Sequence, residues 1–141
     1  MRSSPKILLI EDDRAIAGGM QKVMAAEGYD VTVVVRGDEG LERALAEPFD
    51  LVISDLKLPG ADGLTIVRRL HKARPKLPII LITAHGTTET AIEATRWGAF
   101  DYVPKPFEME ELLDIMFQAL ETSRLMSEPV EMGESLSRRP A

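Results

Sequence analysis

Short apolar runs alternate with stretches of helical period along most of this chain. Lys6–Ile10 (KILLI) is a nearly continuous apolar run that stops at acids, and Ile16, Met20 and Val23 follow it at helical spacing. Val31–Val35 is rich in β-branched residues and comes after the turn Gly28-Tyr29-Asp30, and Asp38–Glu47 then sets Leu41, Ala44 and Leu45 on one face. Leu51–Ser54 is a third apolar run, again ended by an acid, and Leu64–Ala73 carries Ile66, Val67 and Leu70. Pro78–Thr83 (PIILIT) is the fourth run, Thr88–Trp97 reads as a helix, and Asp101–Val103 is a short fifth strand. Glu108–Met126 is the longest helical pattern, with Leu112, Leu113, Met116 and Leu120 on one stripe.

Five strands alternating with five helices predict an α/β fold of (βα)5 order. Strands that are apolar throughout, without period-two alternation, fit a parallel sheet covered on both faces. Right-handed crossovers then favour a doubly wound five-stranded sheet of the flavodoxin-like kind. Residues 1–121 are expected to form this domain, and 122–141 the end of the last helix and a flexible linker or tail, with SEPVEMGESLSRRPA the loosest part. Gly18 and Gly19 fall inside a predicted helix, where each costs about 1 kcal/mol relative to alanine. Nothing in the pattern accounts for them.

Ligands of open α/β sheets bind at the carboxyl ends of the strands, so the residues that end each run matter most. The first run ends in Glu11-Asp12-Asp13, the third in Asp55 and the fourth in Thr83, and Lys105 follows the fifth. Each has an ordinary structural reading. Asp13 suits a helix N-cap, Asp55 a turn residue before Pro59, Gly60 and Gly63, Thr83 a hydroxyl serving the backbone, and Lys105 a surface charge. Their coincidence is harder to explain that way, because solubility does not require complementary polar groups at four strand ends.

Clustered carboxylates repel one another and resist ionisation unless a cation neutralises them. Oxygen ligands around an open position suit Mg²⁺, which takes one or two carboxylates and keeps waters or phosphate oxygens. A carboxylate is also a nucleophile towards phosphorus. The phosphoryl oxygens would then need a metal on one side and a lysine with a hydroxyl on the other.

Composition narrows the choices. The 141 residues contain no cysteine, which excludes disulfides, thiolate zinc sites and a cysteine nucleophile. A length of ~100–150 residues suits one domain. The net charge is −6; the last twenty residues hold three acids and three bases, so the excess lies in the body. An acidic body argues against direct nucleic-acid binding and suits a cation or a basic partner. No apolar run approaches the ~18–20 residues of a membrane span, and MRSSPK lacks the apolar core of a signal peptide. A cytoplasmic protein without membrane contact is expected.

Four motifs carry a resemblance: ILLIEDD (7–13), LVISDLKLPGADG (51–63), PIILITAHG (78–86) and FDYVPKPF (100–107). In this order and spacing they resemble the receiver domain of two-component response regulators. GAFDYVPKPF and the long last helix look most like the receivers of NtrC-like enhancer-binding transcription activators.

The resemblance implies that Asp55 is the phosphoacceptor, attacking a phosphohistidine on a sensor histidine kinase. It implies Mg²⁺ as cofactor, with Asp12 a direct ligand, Glu11 acting through water and the Lys57 carbonyl completing the protein's share. Lys105 and Thr83 would hold the phosphoryl oxygens, and the bond before Pro106 would be cis. Thr83 and Tyr102 would form the switch, altering the face of Thr88–Trp97, the fifth strand and the last helix. A homodimer through that face or through the last helix is the further partner implied. Such a domain is no enzyme in the usual sense, catalysing only its own phosphorylation and dephosphorylation. Its output would be transcription, through a C-terminal part not in this chain; the alternative is a stand-alone phosphorelay or protein-contact regulator. No Walker loop or helix-turn-helix is found.

Glu11 replaces the aspartate often found at its position. Lys57 and His85 occupy positions that in the family tune dephosphorylation. A small phosphatase with an aspartate nucleophile would carry a second acid two residues after it, where this chain has Lys57. A flavodoxin-like cofactor binder would need a phosphate loop rich in Ser, Thr and Gly where this chain has EDDRA.

Overall fold

The computed structural model describes residues 4–127. Five strands, β1 (Lys6–Ile10), β2 (Asp30–Val34), β3 (Leu51–Asp55), β4 (Ile79–Thr83) and β5 (Asp101–Pro104), alternate with five helices. The helices are α1 (Arg14–Ala26), α2 (Gly37–Ala46), α3 (Gly63–Ala73), α4 (Thr88–Trp97) and α5 (Met109–Ser127). Boundaries differ from the periodicity reading by one or two residues. β2 begins at Asp30 because Asp30 pairs with Lys6 of β1, and β3 runs on through Asp55, which pairs with Ile82. Hydrogen bonding to a neighbour, not side-chain character, ends a strand. Of the predicted loose tail, residues 127–141, Ser127 instead closes α5, and residues 128–141 lie outside the described residues.

All four strand pairings are parallel, in the order β2-β1-β3-β4-β5. The apolar strands alternate after all, between two buried faces. Leu8, Ile10, Val52, Ile79 and Leu81 face α2, α3 and α4 through Leu41, Ala44, Ile66, Val67, Leu70 and Ala94. Ile7, Leu9, Leu51, Ile53, Ile80 and Ile82 face α1 and α5 through Ala17, Met20, Met24, Leu112, Met116 and Ala119. Both pleats are thus covered, which is why no polar position interrupts the strands. The sheet is doubly wound, as predicted.

Helix starts are capped by residues that the sequence supplies at loop ends. The Asp13 carboxylate accepts from Ala15 N–H (3.0 Å) and Ile16 N–H (3.1 Å), and Asp62 accepts from Thr65 N–H (2.8 Å). Thr87 and Thr90 form a reciprocal capping box at α4. Gly18 and Gly19 are exposed, with no atom within 4 Å of an added Cβ. Nothing in the structure explains them.

The chain leaves β1 for β2 on one side and comes back to β3 on the other. Strand order therefore reverses between β1 and β3, and a crevice opens at their carboxyl ends. The residues there are Glu11 and Asp55.

Candidate functional site

Each strand that feeds the crevice changes character in one step. After the fully buried Ile10 comes Glu11, only 1% exposed; β3 closes on Asp55 at 7%, and β4 on Thr83 at 1%. Backbone pairing holds these positions: Glu11 N–H donates to the Val34 carbonyl (3.0 Å) and Leu56 N–H to that of Ile82 (3.0 Å). Lys105 N–H donates to the Thr83 carbonyl (2.8 Å), which swings the lysine stem over the same edge. The Lys105–Pro106 peptide bond is cis.

The side chains meet at Lys105. Its Nζ donates to Asp55 Oδ2 (2.9 Å) and to Glu11 Oε1 (2.8 Å). The second Glu11 oxygen accepts from Asp13 N–H (3.1 Å), and Asp55 Oδ1 from Lys57 N–H (3.3 Å). Thr83 Oγ1 accepts from His85 N–H (2.9 Å). Asp12 stands at the exposed rim, and one oxygen each from Glu11, Asp12 and Asp55 lie within 4.8 Å of one another.

Burial raises the Glu11 carboxyl above its ordinary range, and the hydrogen bond from Lys105 only partly offsets this. Burial also acts against the Lys105 ammonium, but the hydrogen bonds it donates to Glu11 and Asp55 outweigh this and lift it above the usual lysine value. Lys105 therefore stays charged at neutral pH. With all groups ionised, three carboxylates face a single ammonium, so a cation is electrostatically favoured. The donor set is oxygen only, and Asp12 opens to water. A hard divalent ion such as Mg²⁺ fits it, and a soft one does not.

The switch candidates lie one strand over. Tyr102, half-buried against the core, makes a 2.8 Å hydrogen bond between its hydroxyl and Thr90 Oγ1. An added Cβ on Gly86 would collide with that hydroxyl, so the glycine makes room for the ring's outer edge. No role was read for Thr90 or Gly86 in the sequence; the Thr87-x-x-Thr90 spacing of the capping box is a signal that could have drawn notice to Thr90. Lys57 and His85 are exposed in their loops, and the Trp97 ring carries the Arg68 guanidinium 5.0 Å from its centroid. Two open hollows of about 360 and 280 Å³ lie at the opposite end of the strands, around Lys76, Leu77 and Ser123. Neither contains a residue of the acidic cluster.

A doubly wound sheet with an acid pair, an aspartate, a threonine and a lysine at one edge defines a class before any comparison is made. Residues 7–117 match the family model of the response regulator receiver domain, and the chain belongs to that family. Among curated relatives is the C4-dicarboxylate transport transcriptional regulatory protein DctD of Rhizobium meliloti, 36% identical over 128 residues, 91% of this chain. The chain spans 28% of the length of DctD. A CheY-like receiver domain protein from Methanospirillum hungatei superposes with a TM-score of 0.85 at 30% identity, covering 89% of this chain and all of the other. The beryllofluoride-activated NtrC4 receiver domain dimer gives a TM-score of 0.79 at 25% identity, over 84% of this chain and 98% of that one. The resemblance to receivers of NtrC-like activators, read from GAFDYVPKPF, is thus shown.

Proposed function

We propose that this chain accepts a phosphoryl group on Asp55 from a sensor histidine kinase, with Mg²⁺ held by Glu11, Asp12, Asp55 and the Lys57 carbonyl. The observation that carries this reading is the bridge from Lys105 Nζ to Asp55 Oδ2 and Glu11 Oε1, beside an exposed Asp12. An Asp55 oxygen attacks phosphorus, the P–N bond to the kinase imidazole breaks, and the imidazole keeps the electron pair and takes a proton from solvent. Bound metal would supply charge neutralisation at the phosphoryl oxygens. Lys105 holds those oxygens from the opposite side, and the Thr83 hydroxyl, one strand over, is the remaining donor. An open edge suits this chemistry, because the donor is another protein and no enclosing pocket is needed.

The added phosphoryl carries roughly −1.5 to −2 charges. Movement of Thr83 towards it and of Tyr102 away from Thr90 would then alter α4, β5 and α5. A homodimer, through that face or through the last helix, is the further partner, and the dimer described for the NtrC4 receiver supports dimerisation as such. Transcription is the proposed output, supported by relatives such as DctD. A cytoplasmic site of action is consistent with the absence, among the described residues, of any helix long and apolar enough to cross a membrane.

Incubation with acetyl phosphate and Mg²⁺, followed by intact mass, tests the acceptor. A metal-dependent phosphoryl adduct is expected on the native chain and none on Asp55→Asn. A full adduct on Asp55→Asn, or no adduct on the native chain, defeats the assignment.

A further inference from the structure

The start of α2 contributes no side chain to the acidic cluster, yet it packs against the chain on both sides of it: the backbone of the loop after Asp55 and the side chain of Ile10. Gly37 N–H donates to the Pro59 carbonyl at 2.8 Å, in the loop that follows Asp55. An added Cβ on Gly37 would collide with the Ala61 carbonyl oxygen and stand 2.7 Å from its carbon. The loop reaches this close by turning at Gly60, which has φ +90. A side chain there would strike the Asp38 carboxylate and come 3.1 Å from the Asp38 nitrogen. Asp38 is itself held by Arg36 (3.0 and 3.1 Å) and accepts from Glu39 N–H at 2.9 Å. One turn further, a Cβ on Gly40 would come 2.8 Å from Cγ1 of Ile10, the residue before Glu11.

The other end of the loop is equally tight. Gly63 N–H donates to the Leu56 carbonyl at 2.7 Å, and a Cβ on Gly63 would lie 2.6 Å from the Asp55 carbonyl oxygen. Residues 56–62 are therefore clamped between the start of α3 and the start of α2. Lys57 lies between the clamps.

We propose that Gly37 is a positioning residue for this reaction: α2 docks on the loop after Asp55 through it, and so sets the backbone that offers the Lys57 carbonyl to a divalent cation. The proposal rests on the receiver reading given above for what the loop does. It assigns α2 a part in metal affinity that no side chain of α2 performs directly.

The test uses the full chain, with Mg²⁺ alone and with acetyl phosphate as probes. In Gly37→Ala, the Mg²⁺ concentration for half-maximal adduct formation is expected to rise roughly tenfold, as for other outer supports of metal ligands. The rate at saturating Mg²⁺ is expected to stay within about twofold, the pattern of lost binding without lost chemistry. Gly18→Ala, on the exposed face of α1, should move neither. An unchanged half-saturating Mg²⁺ concentration in Gly37→Ala overturns the proposal. Should Gly37→Ala fail to fold, hydrogen exchange on the native chain decides the matter. Adding Mg²⁺ should slow exchange at the Gly37 amide by about fivefold or more, through tightening of the loop that it grips. Mg²⁺ binding seen by calorimetry with no change at the Gly37 amide overturns the proposal as well. A response at Gly37 without any adduct on Asp55 would support the positioning role and defeat the receiver chemistry.

Discussion

The middles of the strands and their carboxyl ends are two or three residues apart and behave as different materials. Leu8, Ile53 and Leu81 are wholly buried in an apolar layer, whereas Glu11, Asp55 and Thr83 are nearly as buried and polar. The strand middles satisfy their backbone in the ladder and need nothing else. At the ends, every buried polar side chain must find a partner, and among the described residues none is left without one. Lys105 supplies two of those partnerships from the far side of the sheet. Stability is thus stored one layer behind the chemistry, and the site can hold mutually repelling carboxylates because the layer beneath them is so secure.

Two substitutions sharpen this contrast. Leu8→Ala removes a fully buried side chain between β2 and β3 and should cost about 2–5 kcal/mol in urea unfolding. The adduct yield per folded molecule should stay at the native level. In Asp55→Asn, Lys105 keeps its bond to Glu11, so the loss of stability should be well below that of Leu8→Ala. A Leu8→Ala protein of native stability would break the comparison.

A smaller effect, of opposite sign, is expected away from both layers. Gly18→Ala and Gly19→Ala should each raise the unfolding free energy by about 1 kcal/mol, because α1 gains a better helix former in open space. The urea midpoint reads this directly.

The smallest effect belongs to the surface. Glu47, its side chain 43% exposed, pairs with Arg43 at 2.8 Å across one helical turn, and the hydrogen bond from Arg43 holds its carboxyl below the ordinary range. A lowered carboxyl favours the folded state at pH above its unfolded value and loses that contribution as pH falls through its folded value. Glu47→Gln should therefore change the urea midpoint slightly at neutral pH, and the difference should vanish as pH falls through the folded value of the Glu47 carboxyl. Salt should erase even the neutral-pH difference.

Much of the fold was legible because a strand or helix announces itself through side-chain period, and the elements given bounds fall within a residue or two of their predicted places; for α1 the pattern marked only Ile16, Met20 and Val23, of which Met20 alone is buried. The site was legible for a related reason: Glu11, Asp55 and Thr83 stand where an apolar run stops, which topology turns into one edge. Periodicity marked Lys105 only as a charge after a short strand, and its role came from the resemblance carried by FDYVPKPF. Its bonds to Glu11 and Asp55 span 94 and 50 positions of the chain. The contacts that escaped were those made by absence of a side chain. Gly37 beneath the Ala61 carbonyl and Gly86 beneath Tyr102 look like any loop glycine until two backbones are brought together.

By itself, then, the sequence determined the alternation of elements, the two-faced burial of the strands and the chemistry of their ends, since these depend on neighbours within a few residues. Only the tertiary structure decided which carboxylates share Lys105, that Tyr102 rests on Thr90, and that α2 grips the loop after Asp55. Those contacts join segments far apart in the chain, and their geometry is set by packing density across the sheet, which no local pattern encodes.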